Sequence, residues 1–194
     1  MSLTVKGRAT RERIIEAASR RLRSEEPGEM RLDDLLADTG TSKGQLFHYF
    51  PGGKEELLLV VAGREADRVL AEQEPYLSEL GSPESWRAWR DALVARYGAQ
   101  GENCPLGSLM GQVRSTAGVA AVVSAMLRQW QDHLRDGVRA AQAAGTADPG
   151  VDAERAAAAL IAGVQGGVHV LRSTGDSGHL EAALDEFLDR LGRT

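Results

Sequence analysis

The sequence predicts an all-α fold of about nine helices, and three observations carry the prediction. Apolar residues recur at three- and four-residue spacing through almost every segment. No stretch alternates apolar and polar residues as a half-buried strand would. The breaks fall at Gly, Pro and Ser/Thr clusters of the kind that cap and end helices. Of the 194 residues, 42% are hydrophobic and 26% charged, a globular balance. The length suffices for one large domain or two small ones, each with a core.

In chain order, Met1–Gly7 reads as an unstructured lead. Thr10 caps a first helix with Ile14, Ile15, Ala18 and Leu22 on its inner face, ended by Pro27-Gly28. Leu32–Asp38 is a short second helix with Leu32, Leu35 and Leu36 inward. Thr39-Gly40-Thr41 is a tight turn in which Gly40 supplies a positive φ. Ser42 caps a third helix from Lys43 to about Tyr49, anchored by Leu46, Phe47 and Phe50. Two short helices joined by a Gly-containing three-residue turn make a helix-turn-helix. Pro51-Gly52-Gly53 breaks the pattern, and Lys54 opens a long connecting helix to about Glu74.

Ser82-Pro83-Glu84 has the composition of a helix start. Trp86, Trp89, Leu93, Val94 and Tyr97 follow at helical spacing. A loop from Gly98 to Pro105, a short helix from Leu106 to about Thr116, and a long helix from about Val119 to Ala144 come next. The long helix turns Val122, Met126, Trp130, Leu134 and Val138 inward. Two final helices, Asp152 to about Ser173 and Leu180 to Leu191, are rich in small and apolar residues.

Charge is divided unevenly. Residues 1–54 hold ten Lys/Arg against eight Asp/Glu, and residues 55–194 hold thirteen against twenty, within a formal net charge of -5. A mildly basic end on an acidic body fits a nucleic-acid-reading head with a regulatory body. The expected division is a head at 1–54 and a body at 55–194. No apolar run reaches the ~18 residues that span a bilayer, and no leader segment is evident, so the expected location is the cytoplasm. A single cysteine, Cys104, excludes an intramolecular disulfide framework and fits a reducing compartment.

The third helix has the chemistry of a major-groove reader. Its N-terminal end would enter the groove, with Thr41, Ser42, Lys43, Gln45 and His48 outward and Gly44 allowing close approach to bases. Gln pairs bidentately with adenine and Lys with guanine, each worth ~1–3 kcal/mol of discrimination. Tyr49 and Lys54 read as phosphate contacts, Lys54 reinforced by the helix start beside it.

The stretch TGTSKGQLFHYFPGGKEELL resembles the DNA-binding head of TetR-type (tetracycline-repressor-like) transcriptional regulators. The resemblance covers the first ~60 residues, and the body, with NCPLGSL and its small-residue last helices, is similar to a subgroup that includes LmrA/YxaF-like regulators. It departs at Arg31, where many relatives carry a capping Ser or Thr, at Leu36 and Thr39, where many carry Ala, and in a Pro-Gly-Gly turn one residue longer. The resemblance implies phosphate contacts at Ser42, Tyr49 and Lys54 and base contacts at Lys43 to Gln45. It also implies a homodimer on a pseudo-palindromic double-stranded DNA operator, and release by a small apolar or aromatic effector.

Leu160, Gly163, Val164, Gly167, Leu171, Leu184 and Phe187 are the candidate dimer residues, and the same pattern would serve packing within one chain. Trp86, Trp89, Tyr97, Cys104, Met110, Met126 and Trp130 are either plain core or the lining of an effector pocket. The four histidines are scattered, and no nucleophile set, metal-ligand spacing, phosphate loop or dinucleotide fingerprint is present, so no catalytic residue, metal or cofactor is expected. The sequence does not separate a repressor from an activator or an architectural factor.

Overall fold

The computed structural model describes residues 3–23, 30–100 and 116–192. Among these are eight α-helices and no strand: α1 Val5–Leu22, α2 Leu32–Thr39, α3 Lys43–Tyr49, α4 Gly53–Ala71, α5 Pro83–Gln100, α6 Val119–Ala143, α7 Ala153–Thr174 and α8 Gly178–Leu191. A short 3-10 turn, Tyr76–Ser78, follows α4. The short helix expected at 106–116 lies outside the described residues. The chain forms two compact units, one of residues 1–68 with 103–123 and the other of 69–102 with 124–194.

The first unit is built around Ile14, Ile15, Ala18, Leu35, Leu46, Phe50, Leu57 and Val61, all buried. Each fully buried aliphatic of this size stabilises by roughly 1.5–3 kcal/mol. Helix α1 starts earlier than Thr10. The Thr4 hydroxyl accepts from the Gly7 N–H and caps it, while Thr10 is buried inside the helix. Arg21 pairs with Asp38 at 2.6 Å and ties α1 to α2. On its other side, α1 is tied to α4. Arg64 bridges Glu12 and Glu16. Arg23 Nε lies 3.3 Å from Glu65, whose side chain is fully buried.

In the second unit, α5 turns Trp86, Trp89, Leu93 and Tyr97 inward. Ser82 caps it by accepting from the Ser85 N–H. Helix α6, whose first residues through Val123 belong to the first unit, buries Val123, Met126, Trp130, Leu134 and Val138. Val123 takes the inward place expected of Val122, which is half-buried, because 123, 126, 130, 134 and 138 keep a tighter helical stripe. The Trp89 indole N–H donates to buried Gln73. Arg90 of α5 reaches Asp185 and Glu181 of α8. Helices α7 and α8 form a close antiparallel pair. Asp152 caps α7 through the Glu154 and Arg155 N–H groups. A Cβ added at Gly167 would lie 2.6 Å from the Leu180 Cα, so only glycine permits this approach.

Candidate nucleic-acid interface

The geometry of the head follows from local rules. Gly40 ends α2 at φ 58°, and the Thr41 N–H closes back on the Leu36 carbonyl at 3.1 Å. The chain thereby reverses within three residues and starts α3 at Ser42. The Ser42 hydroxyl accepts from the Gln45 N–H at 3.2 Å, and the Gln45 side-chain oxygen accepts from the Ser42 N–H at 3.0 Å, a reciprocal capping box. Leu46 and Phe50 are fully buried and fix the helix to the head core. Arg11 of α1 sits over the Phe50 ring at 5.1 Å.

This leaves Ser42, Lys43, Gly44, Gln45 and His48 exposed on the outer side of α3. Tyr49 is half-buried and stacks edge-on against His48, with centroids 5.0 Å apart. A Cβ at Gly7 would lie 3.6 Å from the Tyr49 hydroxyl, which puts that hydroxyl beside the first turn of α1. Lys54 lies half-buried in the first turn of α4.

Thr41 does not join this surface. It is 6% exposed and its hydroxyl is hydrogen-bonded to that of Thr39, which in turn donates to the Leu35 carbonyl at 2.8 Å. The left-handed turn at Gly40 folds the Thr41 side chain back into the helix junction. Gln45 is constrained too. With its oxygen held in the capping box, its amide N–H remains to donate, so a bidentate pairing with adenine would break the cap.

Phe47, expected as an anchor, is 43% exposed. One ring edge packs at Gly53, where an added Cβ would lie 3.1 Å from Phe47 Cε1, and the rest faces outward on the side of Gly44. The signal was available in the spacing, since residues three and four apart share a helix face.

In the second unit Trp86, Trp89, Tyr97, Met126 and Trp130 are buried. Cys104 and Met110 lie outside the described residues. Of the candidate dimer residues, Leu160, Val164, Gly167, Leu171 and Leu184 are buried between α7, α8 and the rest of their own unit, so they serve the chain's own packing. Gly163 and Phe187 are half-buried. The outer side of α7 carries Arg155, Ala159, Ala162, Gly166, His169 and Ser173 instead. Beside it, a trough of about 230 Å³ opens where α7 and α8 splay, floored by Ala159, Leu160, Ala183, Phe187 and Leu191 and edged by Arg155, Glu186 and Arg190. No group of three or more His, Cys, Asp or Glu able to hold a metal occurs among the described residues. Among them, no helix is long and apolar enough to cross a membrane.

Comparison with known proteins places this architecture. The family described as "Tetracyclin repressor-like, C-terminal domain" matches residues 84–187, more than half of the chain. Two curated relatives, uncharacterized HTH-type transcriptional regulators from two strains of Mycobacterium tuberculosis, are 26% identical over 134 residues. That match covers 63% of this chain and 66% of theirs, just under two thirds of the relatives' length. A TetR transcriptional regulator from Chloroflexus aurantiacus superposes with a TM-score of 0.80 at 25% identity over 96% of both chains. A TetR transcription regulator from Haloarcula marismortui shares the fold with a TM-score of 0.79 at 18% identity, over 96% of this chain and 100% of its own. The helix-turn-helix head and the matched helical body together make this chain a member of the TetR, tetracycline-repressor-like, family of transcriptional regulators.

Proposed function

We propose that the protein is a repressor that binds a pseudo-palindromic operator as a homodimer and releases it when a small molecule occupies the body. Residues 1–54 carry the DNA-reading role and residues 55–194 carry effector binding and dimerisation, in the cytoplasm. The observation that supports this most is the exposed polar side of the capped helix α3. Lys43, Gly44, Gln45 and His48 meet base edges, with Lys43 suited to guanine and the free Gln45 N–H to an acceptor such as guanine O6 or thymine O4. Ser42, Tyr49 and Lys54 hold phosphates, the Tyr49 hydroxyl together with the first turn of α1.

One short helix reads too few base pairs for useful specificity. Two copies related by a two-fold axis put two readers about one turn, ~34–36 Å, or a multiple apart. The outer side of α7 and the trough beside it supply a smooth apolar face with both signs of charge at its edge, which suits self-complementary pairing. The effector is a small apolar or aromatic compound held by the tryptophan-bearing body. It shifts the DNA equilibrium only by its differential affinity for the two states.

Binding titrations on matched and mismatched duplexes test the head. Lys54→Ala and Tyr49→Phe weaken binding to all sequences, whereas Gln45→Ala relaxes preference at one base pair. Unchanged binding by Lys54→Ala defeats the phosphate assignment. For the body, Ala162→Asp turns a dimeric mass at micromolar concentration into a monomeric one; a wild-type monomer defeats the dimer.

A further inference from the structure

We infer that Phe47 is a specificity residue of the DNA-reading helix: its exposed ring and the bare backbone of Gly44 form a notch that seats the C5-methyl group of one thymine in each half-site. This rests on the reading that α3 enters the major groove of an operator, and adds to it a residue and the base that residue selects.

Two features of α3 have no explanation inside the chain. The first is Phe47, which stays exposed although Leu46 and Phe50 are fully buried and already hold the helix. Only one edge of its ring is packed, at Gly53, where an added Cβ would lie 3.1 Å from Cε1. No other ring stacks on it among the described residues. The second is Gly44. It does not take a positive φ, and a Cβ built there would meet only the Ser42 hydroxyl oxygen, at 3.9 Å. Alanine would fit, and it favours a helix more than glycine does. Gly44 and Phe47 stand three residues apart and share a face of α3. No atom of Phe47 comes within 4 Å of the Cβ built on Gly44, so the space between ring and backbone is open. His48, four residues from Gly44 and exposed, stands on its other side.

The chemistry of the ring selects the occupant. Phenylalanine carries no hydrogen-bond donor or acceptor, so it can neither hold a phosphate nor pair with a polar base edge. In the major groove the bases offer one apolar group, the C5-methyl of thymine; the rest of their edges are ring nitrogens, carbonyls and amino groups. Pressing those polar groups against the ring would strip their water and return no hydrogen bond. A thymine methyl loses only apolar surface to water, which is favourable. Gly44, with no side chain, lets the base come close enough for its methyl to reach the ring. Lys43 and Gln45, both exposed, flank the notch with polar contacts for neighbouring bases. One methyl carries roughly the transfer free energy of a buried CH₂, which converts to about a four-fold change in affinity per half-site.

The test uses the full chain and an operator selected from a random pool, with each thymine replaced in turn by deoxyuridine. That change removes the methyl and keeps every hydrogen-bonding group of the base. One thymine position should lose about four-fold in affinity when changed in one half-site and about sixteen-fold when changed in both. In Phe47→Ala the difference between thymine and deoxyuridine at that position should largely vanish. Gly44→Ala fills the notch without touching the packing of Phe47 on Gly53 and should remove the same difference, with a melting temperature no lower than that of the unmodified protein. It therefore carries the test even where Phe47→Ala loosens the head. Operator binding that tolerates deoxyuridine at every position overturns the notch and leaves the DNA-reading function standing, as does a loss that persists undiminished in both variants. A selected half-site without an A·T pair also overturns it. A pool that yields no operator defeats the DNA-reading function, and the notch with it.

Discussion

Replacing Gly167 with alanine should destabilise the protein, although alanine is the better helix former. In the α7–α8 pair, a Cβ at 167 would lie 2.6 Å from the Leu180 Cα, 2.9 Å from its Cβ and 3.0 Å from its N. Two of these atoms are backbone and the third is the Cβ fixed to it, in a fully buried residue, so no rotamer change relieves the clash and the two helices must part by most of an ångström. Overpacking costs about 1–3 kcal/mol; with nothing able to swing aside the upper part of that range, about 2–3 kcal/mol, applies, and the helix propensity of alanine returns about 1 kcal/mol. The net loss is about 1–2 kcal/mol, a fall of about 2–8 °C in melting temperature for a chain of this size. Gly163→Ala is the internal control. Its Cβ would sit 3.4 Å from the Ala183 Cβ, an ordinary contact, so the propensity gain should leave it neutral or up to about 1 kcal/mol more stable. Thermal and urea unfolding by far-UV circular dichroism, at one fixed protein concentration, reads both. Gly167→Ala melting at or above the unmodified protein would refute the close-packing argument, as would equal shifts for the two variants.

Three further outcomes follow from the head. Arg23→Ala removes the counter-charge that the described residues place beside buried Glu65. It should cost roughly 2–4 kcal/mol, toward the lower part of the usual range because Arg23 is partly exposed, whereas Arg23→Met with Glu65→Met should recover most of the loss in urea unfolding. Thr41→Val should cost about 1 kcal/mol through the lost Thr39 contact and leave base preference unchanged in competition binding; altered preference would return Thr41 to the DNA surface. The Arg21 guanidinium holds the Asp38 carboxyl below the usual carboxylate range, through their hydrogen bond first. A depressed folded value stabilises above the unfolded value and is lost as pH falls through the folded one. The stability gap between the unmodified protein and Asp38→Asn should therefore close on acidification, and a gap that stays constant from roughly pH 7 to pH 3 contradicts the tie.

What the sequence made legible were features set by neighbouring residues. The Gly40 turn, the Ser42 cap, the Ser82 cap and the inward stripe of α5 each follow from a few adjacent side chains and backbone preferences. Features set by packing were not legible. Nothing local told that Thr4 rather than Thr10 starts α1, because a threonine before a helix and one inside its first turns look alike. Thr41 looked like a groove residue until the turn geometry folded it onto Thr39. Leu160, Val164, Leu171 and Leu184 form a stripe that could bury in one chain or between two, and spacing alone does not choose. The structure gives that stripe to the chain itself and leaves the smoother side, with Ala159, Ala162 and Gly166, outward. Phe47 shows the reverse case: an apolar residue assumed to be core stands on the exposed side because Gly53 leaves it only an edge to pack on.

The central claim is that two copies of α3 read one operator. Selection of bound duplexes from a random pool by the full-length chain tests it most directly. The account predicts enrichment of an inverted repeat whose half-sites are spaced by about one helical turn or a multiple, with the enrichment lost at one position per half-site in Gln45→Ala. A pool that shows no enrichment, or one enriched only for a single unrepeated site, would contradict it.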